Sequence, residues 1–378
     1  MDNHTEKGVP ELLEASRHVE GSGPQLISAL EQFFGRYVVV PPGIPLVLSL
    51  FALQSYLWQT FEHCGYLVLS SPAKRSGKTT TAVILSWLCC RPQWAVDPSG
   101  AATYRLIDAC QPTMLFDEAE ICLQDRRIRP LLNAGFRRGA TVPRCVGGQV
   151  VEFSTYCPKV FCTLSEIPET IRDRSIVISM RRAKPSEIHV ELRERDASNT
   201  AAQLAKEIAS WATAARNQIA DCYAATTLGF LADREANIWA PLFSIAAVAI
   251  PERLDDLKVT ALRLIHEKAR QDSELSPAVR LLSDLKAVFA EERVEKLPTD
   301  RLIKALQRLP VSPWNGLSSN ALANYLRPFG IKSKQLWVDG RNQHGYRLQD
   351  LQDSLERYVS DTEESSADSE EDNENPAA

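Results

Sequence analysis

Apolar and polar positions change period several times along the chain, and the changes divide it. Residues 1–24 hold no sustained apolar pattern and end in Gly21-Ser22-Gly23-Pro24, which predicts a disordered N-terminus. Helical spacing follows from Gln25 to Phe34. Tyr37 to Val40 has strand character, and Ile44 to Phe61 reads as a buried helix, so 25–64 is an N-terminal helical segment. The period then changes to short, continuous apolar runs: Gly65–Ser70, Trp94–Val96, Thr113–Phe116, Lys159–Thr163 and Ser175–Met180. Runs without alternation suit strands buried on both faces. Helical stretches at Thr79–Cys90, Ala102–Ala109 and Ile128–Arg138 separate them. Alternation of this kind predicts an α/β domain over 65–190, with a doubly wound parallel sheet.

Beyond the last run, 199–225 and 235–271 are rich in Ala, Leu and Ile at helical spacing and predict a helical lid within 191–275. Residues 276–359 form a smaller unit. It contains a helix at Ala321–Arg327 and two strand-like pieces around Gly340, the pattern of a winged helix. From Ser360 the chain is polar and acidic and predicts a disordered tail over 360–378.

Composition changes this picture in three places. The net charge of -5 includes eight acidic residues between Asp361 and Glu374; without them the body has 43 basic and 40 acidic residues (48 − 8), about +3. Overall charge therefore points to no partner, and local patches must be sought. The nine cysteines form no CxxC pair, and Cys89, Cys110, Cys122 and Cys162 sit in apolar runs, which predicts reduced, buried thiols and a cytoplasmic protein. Leu46–Trp58 is too short to cross a bilayer, and no signal-peptide core precedes it, so no membrane partner is expected.

The candidate chemistry lies between the first and third apolar runs. Pro72-Ala73-Lys74-Arg75-Ser76-Gly77-Lys78-Thr79 joins a buried strand to a helix. A P-loop needs backbone N–H groups open to phosphate, a helix N-terminus behind them, a lysine and a hydroxyl. Lys74, Arg75, Ser76, Gly77 and Thr80 would line the phosphates of ATP; Lys78 would reach the β- and γ-phosphates, and Thr79 would ligate Mg2+. Pro72 departs from the pattern, because glycine usually stands there and proline removes a donor. The third run ends in Asp117 and Glu118. Asp117 suits a magnesium ligand, and Glu118 suits polarising water for hydrolysis. Thr163 or Ser165, at the end of the fourth run, is a candidate sensor of the γ-phosphate; the alternative is an ordinary polar strand end. Arg174, with Arg172 second, is the candidate arginine finger acting on a neighbouring subunit; the alternative is a structural ion pair with Asp173. Arg234 is a candidate lid arginine for the nucleotide, with a surface role as its alternative.

Together SPAKRSGKT, TMLFDEAE, LLNAGFRRGA, the DRSIVI block, NIWAPLFSIA and LRPFGIKSKQL…HGYR resemble the primase-helicase-like P-loop ATPases of phages, prophages and plasmids that carry a C-terminal domain of unknown function. The resemblance covers about residues 30–358. It implies an AAA+-like ATPase core and a setting in the replication of mobile elements, often beside primase modules. Two further features bear on DNA. Gly147-Gly148 joins two β-prone runs, a hairpin signal; in AAA+ ring helicases a hairpin at this place points into the pore, and Arg137, Arg138 and Arg144 lie near it. The C-terminal unit offers Lys332, Lys334 and Arg341 to phosphate, with Arg327, His344 and Arg347 nearby; the alternative for a winged helix is a protein–protein module. The expectation is a ring-forming, hexamer-like ATP-driven helicase or translocase on DNA. The alternative is an ATP-dependent loader or switch that assembles a partner on DNA without unwinding.

Overall fold

A computed structural model describes residues 23–359 apart from Arg126, Ser165, Glu166, Pro185, Ile188, His189, Ser276, Pro310, Val311 and Asp339. The expected disordered N-terminus, except its last two residues, and the acidic tail lie outside the described residues, as does Ser165.

The apolar runs become the strands of one five-stranded sheet: β1 (Tyr66–Ser70), β2 (Pro92–Ala95), β3 (Thr113–Phe116), then β6 (Lys159–Thr163) and β7 (Ser175–Ser179). Between them β4 (Thr141–Val146) and β5 (Gln149–Ser154) form a separate antiparallel hairpin. The sheet order is β2-β3-β6-β1-β7, and every pairing is parallel. The expected parallel α/β architecture is therefore present. β1, β3 and β6 are buried along most of their length, which is why their sequences are continuous rather than alternating.

The helices Gly23–Tyr37, Ile44–Leu57, Glu194–Ala225 and Asp233–Ala249 share one hydrophobic core with the sheet. Leu48, Leu53, Leu85, Phe161, Ile208 and Phe243 belong to it, so the segments expected as N-terminal helices and lid are built into the same body. Two expectations are corrected. Tyr37 closes the first helix and Val38–Val40 form no strand; Val38 is buried against the core without a sheet partner. The helix expected at 235–271 is two helices, Asp233–Ala249 and Leu254–Leu275, because Pro251 starts a separate turn.

The chain divides into two compact units after His266, earlier than the boundary expected near 275. In the second unit, helices Pro277–Glu292, Thr299–Arg308, Ser319–Leu326 and Leu348–Tyr358 surround a three-stranded antiparallel sheet with order β8-β10-β9. Its strands are β8 (Lys296–Pro298), β9 (Lys334–Val338) and β10 (Arg341–Arg347). Its own core includes Leu282, Phe289, Leu306, Trp314, Leu322 and Tyr346. Among the described residues no helix is long and apolar enough to cross a membrane.

The cysteines are unpaired. Cys64, Cys89, Cys122, Cys157, Cys162 and Cys222 are buried as expected, but Cys110 and Cys145 are exposed. Cys110 ends a helix whose buried positions stop at Ile107, so its apolar neighbourhood in sequence does not become burial.

Candidate functional site

Parallel strands bring their carboxyl ends to one edge, and there the 71–77 loop begins. The Ser70 carbonyl accepts the Met180 N–H at 2.7 Å, and the Ser71 N–H donates to the Thr163 carbonyl at 3.3 Å. The loop is thus tied to the ends of β7 and β6 on either side. At the unusual Pro72, the Ser71 hydroxyl lies 3.2 Å from the Ala73 N–H and accepts its hydrogen bond, closing a short side-chain turn. Arg75 (φ 63°) and Gly77 (φ 85°) are both left-handed, which curls the chain into the helix Lys78–Leu88. A Cβ on Gly77 would meet Met180 Cε and Val38 Cγ1 at an ordinary 3.6 Å. Glycine is needed here for its backbone angle rather than for space. The Gly77 carbonyl then accepts both the Thr81 N–H and its hydroxyl at 2.9 Å, which fixes the first helical turn.

Lys78 folds back into the loop and is only 9% exposed. Its ammonium donates to Ser76 Oγ at 3.1 Å and to the Ala73 carbonyl at 3.3 Å. Desolvation lowers its pKa, while Cys162, Glu120 and Asp117 act in the opposite direction. Asp117 is half-buried and Glu118 exposed, immediately after β3. Glu118 is left-handed (φ 48°, ψ 48°), and its N–H donates to Asp117 Oδ1 at 3.1 Å. A non-glycine residue in that region costs about 1–3 kcal/mol and is common where a side chain must be aimed. Thr163 is 2% exposed and ends β6, the strand between those of the loop and of Asp117. Lys74, Arg75, Ser76, Gly77, Lys78, Thr79, Thr80, Asp117, Glu118 and Thr163 therefore share one edge of the sheet.

Arg172, Arg174 and Arg234 do not join them. Ser175 pairs with Tyr66 at the start of β1, whereas the loop follows its end. The arginines preceding Ser175 thus lie a strand length away, roughly 13 Å at about 3.3 Å per residue. Arg172 is 7% exposed. Arg174 donates to the Thr170 carbonyl and lies 3.8 Å from Asp173. Arg234 Nε lies 3.2 Å from the same carboxylate, with its guanidinium over Phe136 at 5.9 Å. Arg234, expected as a lid arginine or as a surface residue, is held by Asp173 at the opposite edge.

One residue at the site was not singled out from the sequence. Glu120 opens the helix Ala119–Gln124, its Oε2 is buried without a hydrogen-bond partner, and it is among the charges felt by Lys78. Its only sequence signal is its place two residues beyond Glu118. Beside it, burial pushes the Cys162 thiol up to about 12.

The hairpin predicted from Gly147-Gly148 is present. Both glycines have positive φ (58° and 81°), as a tight antiparallel turn requires. Phe153 packs against Tyr104 at a tilt of 50° with ring centres 4.6 Å apart, and Asp108 accepts the Ser154 N–H at 2.8 Å, which anchors the hairpin to the helix Gly100–Cys110. Arg144 lies on β4 itself, over the Tyr104 ring at 5.3 Å. Arg137 and Arg138 precede the hairpin and are exposed; Arg137 forms a backbone bridge with His63, and Arg138 donates its guanidinium to the Gln59 carbonyl and its backbone N–H to the Glu62 carbonyl. Exposed Val146, Val150 and Val151 flank the tip. At the hairpin's root, fully buried Lys159 donates to the carbonyls of Thr155 (2.9 Å), Cys157 (3.0 Å) and Gly135 (3.3 Å).

In the second unit Lys332 and Arg341 are exposed. Lys334 is instead paired with Asp350 at 2.6 Å, so its charge is already met within the protein.

The pattern of a family of proteins of unknown function, DUF3631, matches residues Ser179 to Tyr358. An uncharacterized 28.9 kDa protein in the xis 5′ region of Saccharopolyspora erythraea is 30% identical over 188 residues, which are 48% of this chain and 69% of that one. This chain belongs to the DUF3631 family. The expected C-terminal domain of unknown function is thereby found, and the family match begins at the end of β7. The structure also resembles the A form apo structure of the NrS-1 C terminal region, with a TM-score of 0.46, 13% identity, and coverage of 90% of this chain and 79% of that one. A second apo structure of that region, spanning 305–718, gives 0.42 at the same identity, with coverage of 90% and 78%.

Proposed function

We propose that this DUF3631 protein is a P-loop ATPase with an AAA+-like core that acts on DNA, as a helicase or translocase in the replication of a mobile genetic element. The observation that carries the reading is Lys78. Its ammonium lies curled inside a strand–loop–helix turn, at the edge where Asp117 and Glu118 emerge. Without a phosphate, loop oxygens satisfy it; ATP would offer stronger acceptors. Glu118 is exposed and aimed by its own backbone, as a group that polarises water must be. Thr163 lies on the strand between and suits a γ-phosphate contact.

Magnesium fits the residues present. Among the described residues no three metal-binding side chains converge, and magnesium bound with a nucleotide needs only one or two protein groups. Thr79 and Asp117 would hold it, and it would neutralise charge between the β- and γ-phosphates. Arg174, with Arg172 and Arg234 beside it, would serve a neighbouring subunit, since its own loop is out of reach. That placement supports the homo-oligomer in this reading. The helix Ser319–Leu326 and the β9–β10 hairpin, ordered as in a winged helix, would contact DNA through Lys332 and Arg341. The mobile-element setting, and a primase as a partner, rest on the motif resemblance.

The test is ATP hydrolysis by the whole chain with and without single-stranded and duplex DNA, beside Lys78→Ala and Glu118→Gln. DNA-stimulated hydrolysis lost in both variants is expected. Hydrolysis indifferent to DNA would favour the loader or switch, and no hydrolysis under any condition would overturn the catalytic assignment.

A further inference from the structure

The second unit carries an exposed aromatic ring in a polar and basic setting. Trp337, on β9, is 66% exposed, whereas the other six tryptophans are buried or half-buried. Covering an exposed indole is favourable, because it removes a large flat apolar surface from water. Its surroundings indicate what. Strand alternation places Gln335 on the same face of β9 as Trp337, and the register sets Asn342 opposite Trp337 and His344 opposite Gln335. All four are exposed, and Asn342 Nδ2 lies 3.2 Å from Gln335 Oε1. The face therefore has one flat ring and a row of amide and imidazole groups that both donate and accept.

Cations border it. Lys296 donates to the Trp337 carbonyl at 2.9 Å, and Arg341 is paired with Val338 next to the ring. From Ser312 to Arg347 the sequence has five basic residues and one acidic residue. A protein-docking surface would extend the ring with further apolar area. Here the other large exposed ring of the unit, Tyr358, packs against Phe329 with centres 5.1 Å apart.

We infer that the β9–β10 face binds a single-stranded segment of nucleic acid, with an unpaired base stacked on Trp337. Gln335, Asn342 and His344 meet base edges, and Lys296, Lys332 and Arg341 meet the phosphates. Stacking of this kind tolerates any base and needs it free of a duplex, where neighbouring pairs already cover both faces. The inference deepens the reading that the chain acts on DNA, and it assigns this unit the unpaired strand.

The test uses the whole chain without nucleotide, titrated with oligothymidylate and separately with a blunt duplex, following tryptophan emission and anisotropy of labelled DNA. Oligothymidylate is expected to quench the solvent-exposed, red-shifted emission. Trp337→Ala should bind it about tenfold more weakly, with Trp337→Phe close to wild type, because stacking needs only a flat ring. The salt dependence should keep its slope in Trp337→Ala and lose about 0.7 in Arg341→Ala. Basal ATP hydrolysis should be unchanged in Trp337→Ala, which separates this inference from the ATPase assignment. Equal affinity of wild type and Trp337→Ala for oligothymidylate would overturn it. So would equal quenching by the duplex, or quenching only on self-association, which would give the ring to a second copy of the chain.

Discussion

Gly77→Ala isolates the backbone requirement of the loop. The added methyl has room, since its nearest neighbours would be Met180 Cε and Val38 Cγ1 at 3.6 Å. What remains is φ of 85°, which costs an L-residue about 1–2 kcal/mol. Alanine also narrows the unfolded ensemble, offsetting about 0.4–1 kcal/mol of that in the stability balance. Two outcomes are open to the molecule. If the loop keeps its shape, the folded state carries the strain, and the midpoint of thermal unfolding falls by roughly 2–4 °C for each kcal/mol lost. If the loop relaxes, stability is kept and ATP must restore the shape, weakening binding by about 5–30-fold. Differential scanning fluorimetry and titration with a fluorescent ATP analogue measure both halves. Gly139→Ala is the control: it shares a positive φ, here 79°, would meet nothing within 4 Å, and lies outside the loop, so its effect should fall on stability alone. A Gly77→Ala protein with unchanged midpoint and unchanged affinity would refute the reasoning.

The remaining predictions concern charge. Lys78→Met should abolish ATP hydrolysis yet raise the unfolding midpoint near neutral pH: the folded state disfavours the ammonium, a penalty that persists until pH rises through the lowered pKa. A lower midpoint would contradict that sign. Burial lowers the pKa of His63, so the folded state binds fewer protons and stability should fall as pH drops below about 6.5; His63→Gln should flatten that part of the urea-denaturation profile. Mixing Lys78→Ala with Arg174→Ala protein should restore part of the hydrolysis missing from each alone, because some mixed interfaces would then pair an intact loop with an intact arginine. No recovery despite mixed assembly would remove Arg174 from the site. Lys159→Met should destabilise by about 2–4 kcal/mol through the loss of hydrogen bonds from a charged donor to three buried carbonyls, read as an earlier urea midpoint.

The strands of the parallel sheet were legible because burial on both faces leaves no alternation to misread. The strand–loop–helix turn was legible because it is local: Gly77, Lys78 and Thr79 are consecutive, between a strand and a helix that each announce themselves. Asp117 and Glu118 followed from the same logic at a strand end. What depends on distant partners was not legible. Val38–Val40 have strand residues but pair with no strand, and Val38 is buried in the core instead. Arg234 and Asp173 are far apart in sequence, and nothing local reveals that one holds the other away from the loop. Glu120 looked like one more acidic residue until burial of its carboxylate set it apart. Trp337 stands between apolar Leu336 and Val338 in the sequence, and its exposure shows only once the hairpin is folded.

The distribution of thiols has a practical consequence. Burial raises the pKa of Cys64, Cys89, Cys122 and Cys162 to about 12, so these side chains hold almost no thiolate near neutral pH and resist alkylation. Cys110 and Cys145 are exposed, and Cys145 lies on β4, two residues before the turn of the hairpin. A maleimide dye would therefore mark Cys110 and Cys145 ahead of the half-buried Cys90. In a Cys90→Ser, Cys110→Ser background the label would sit on the hairpin and report what its valine-flanked tip meets when nucleotide and DNA are added.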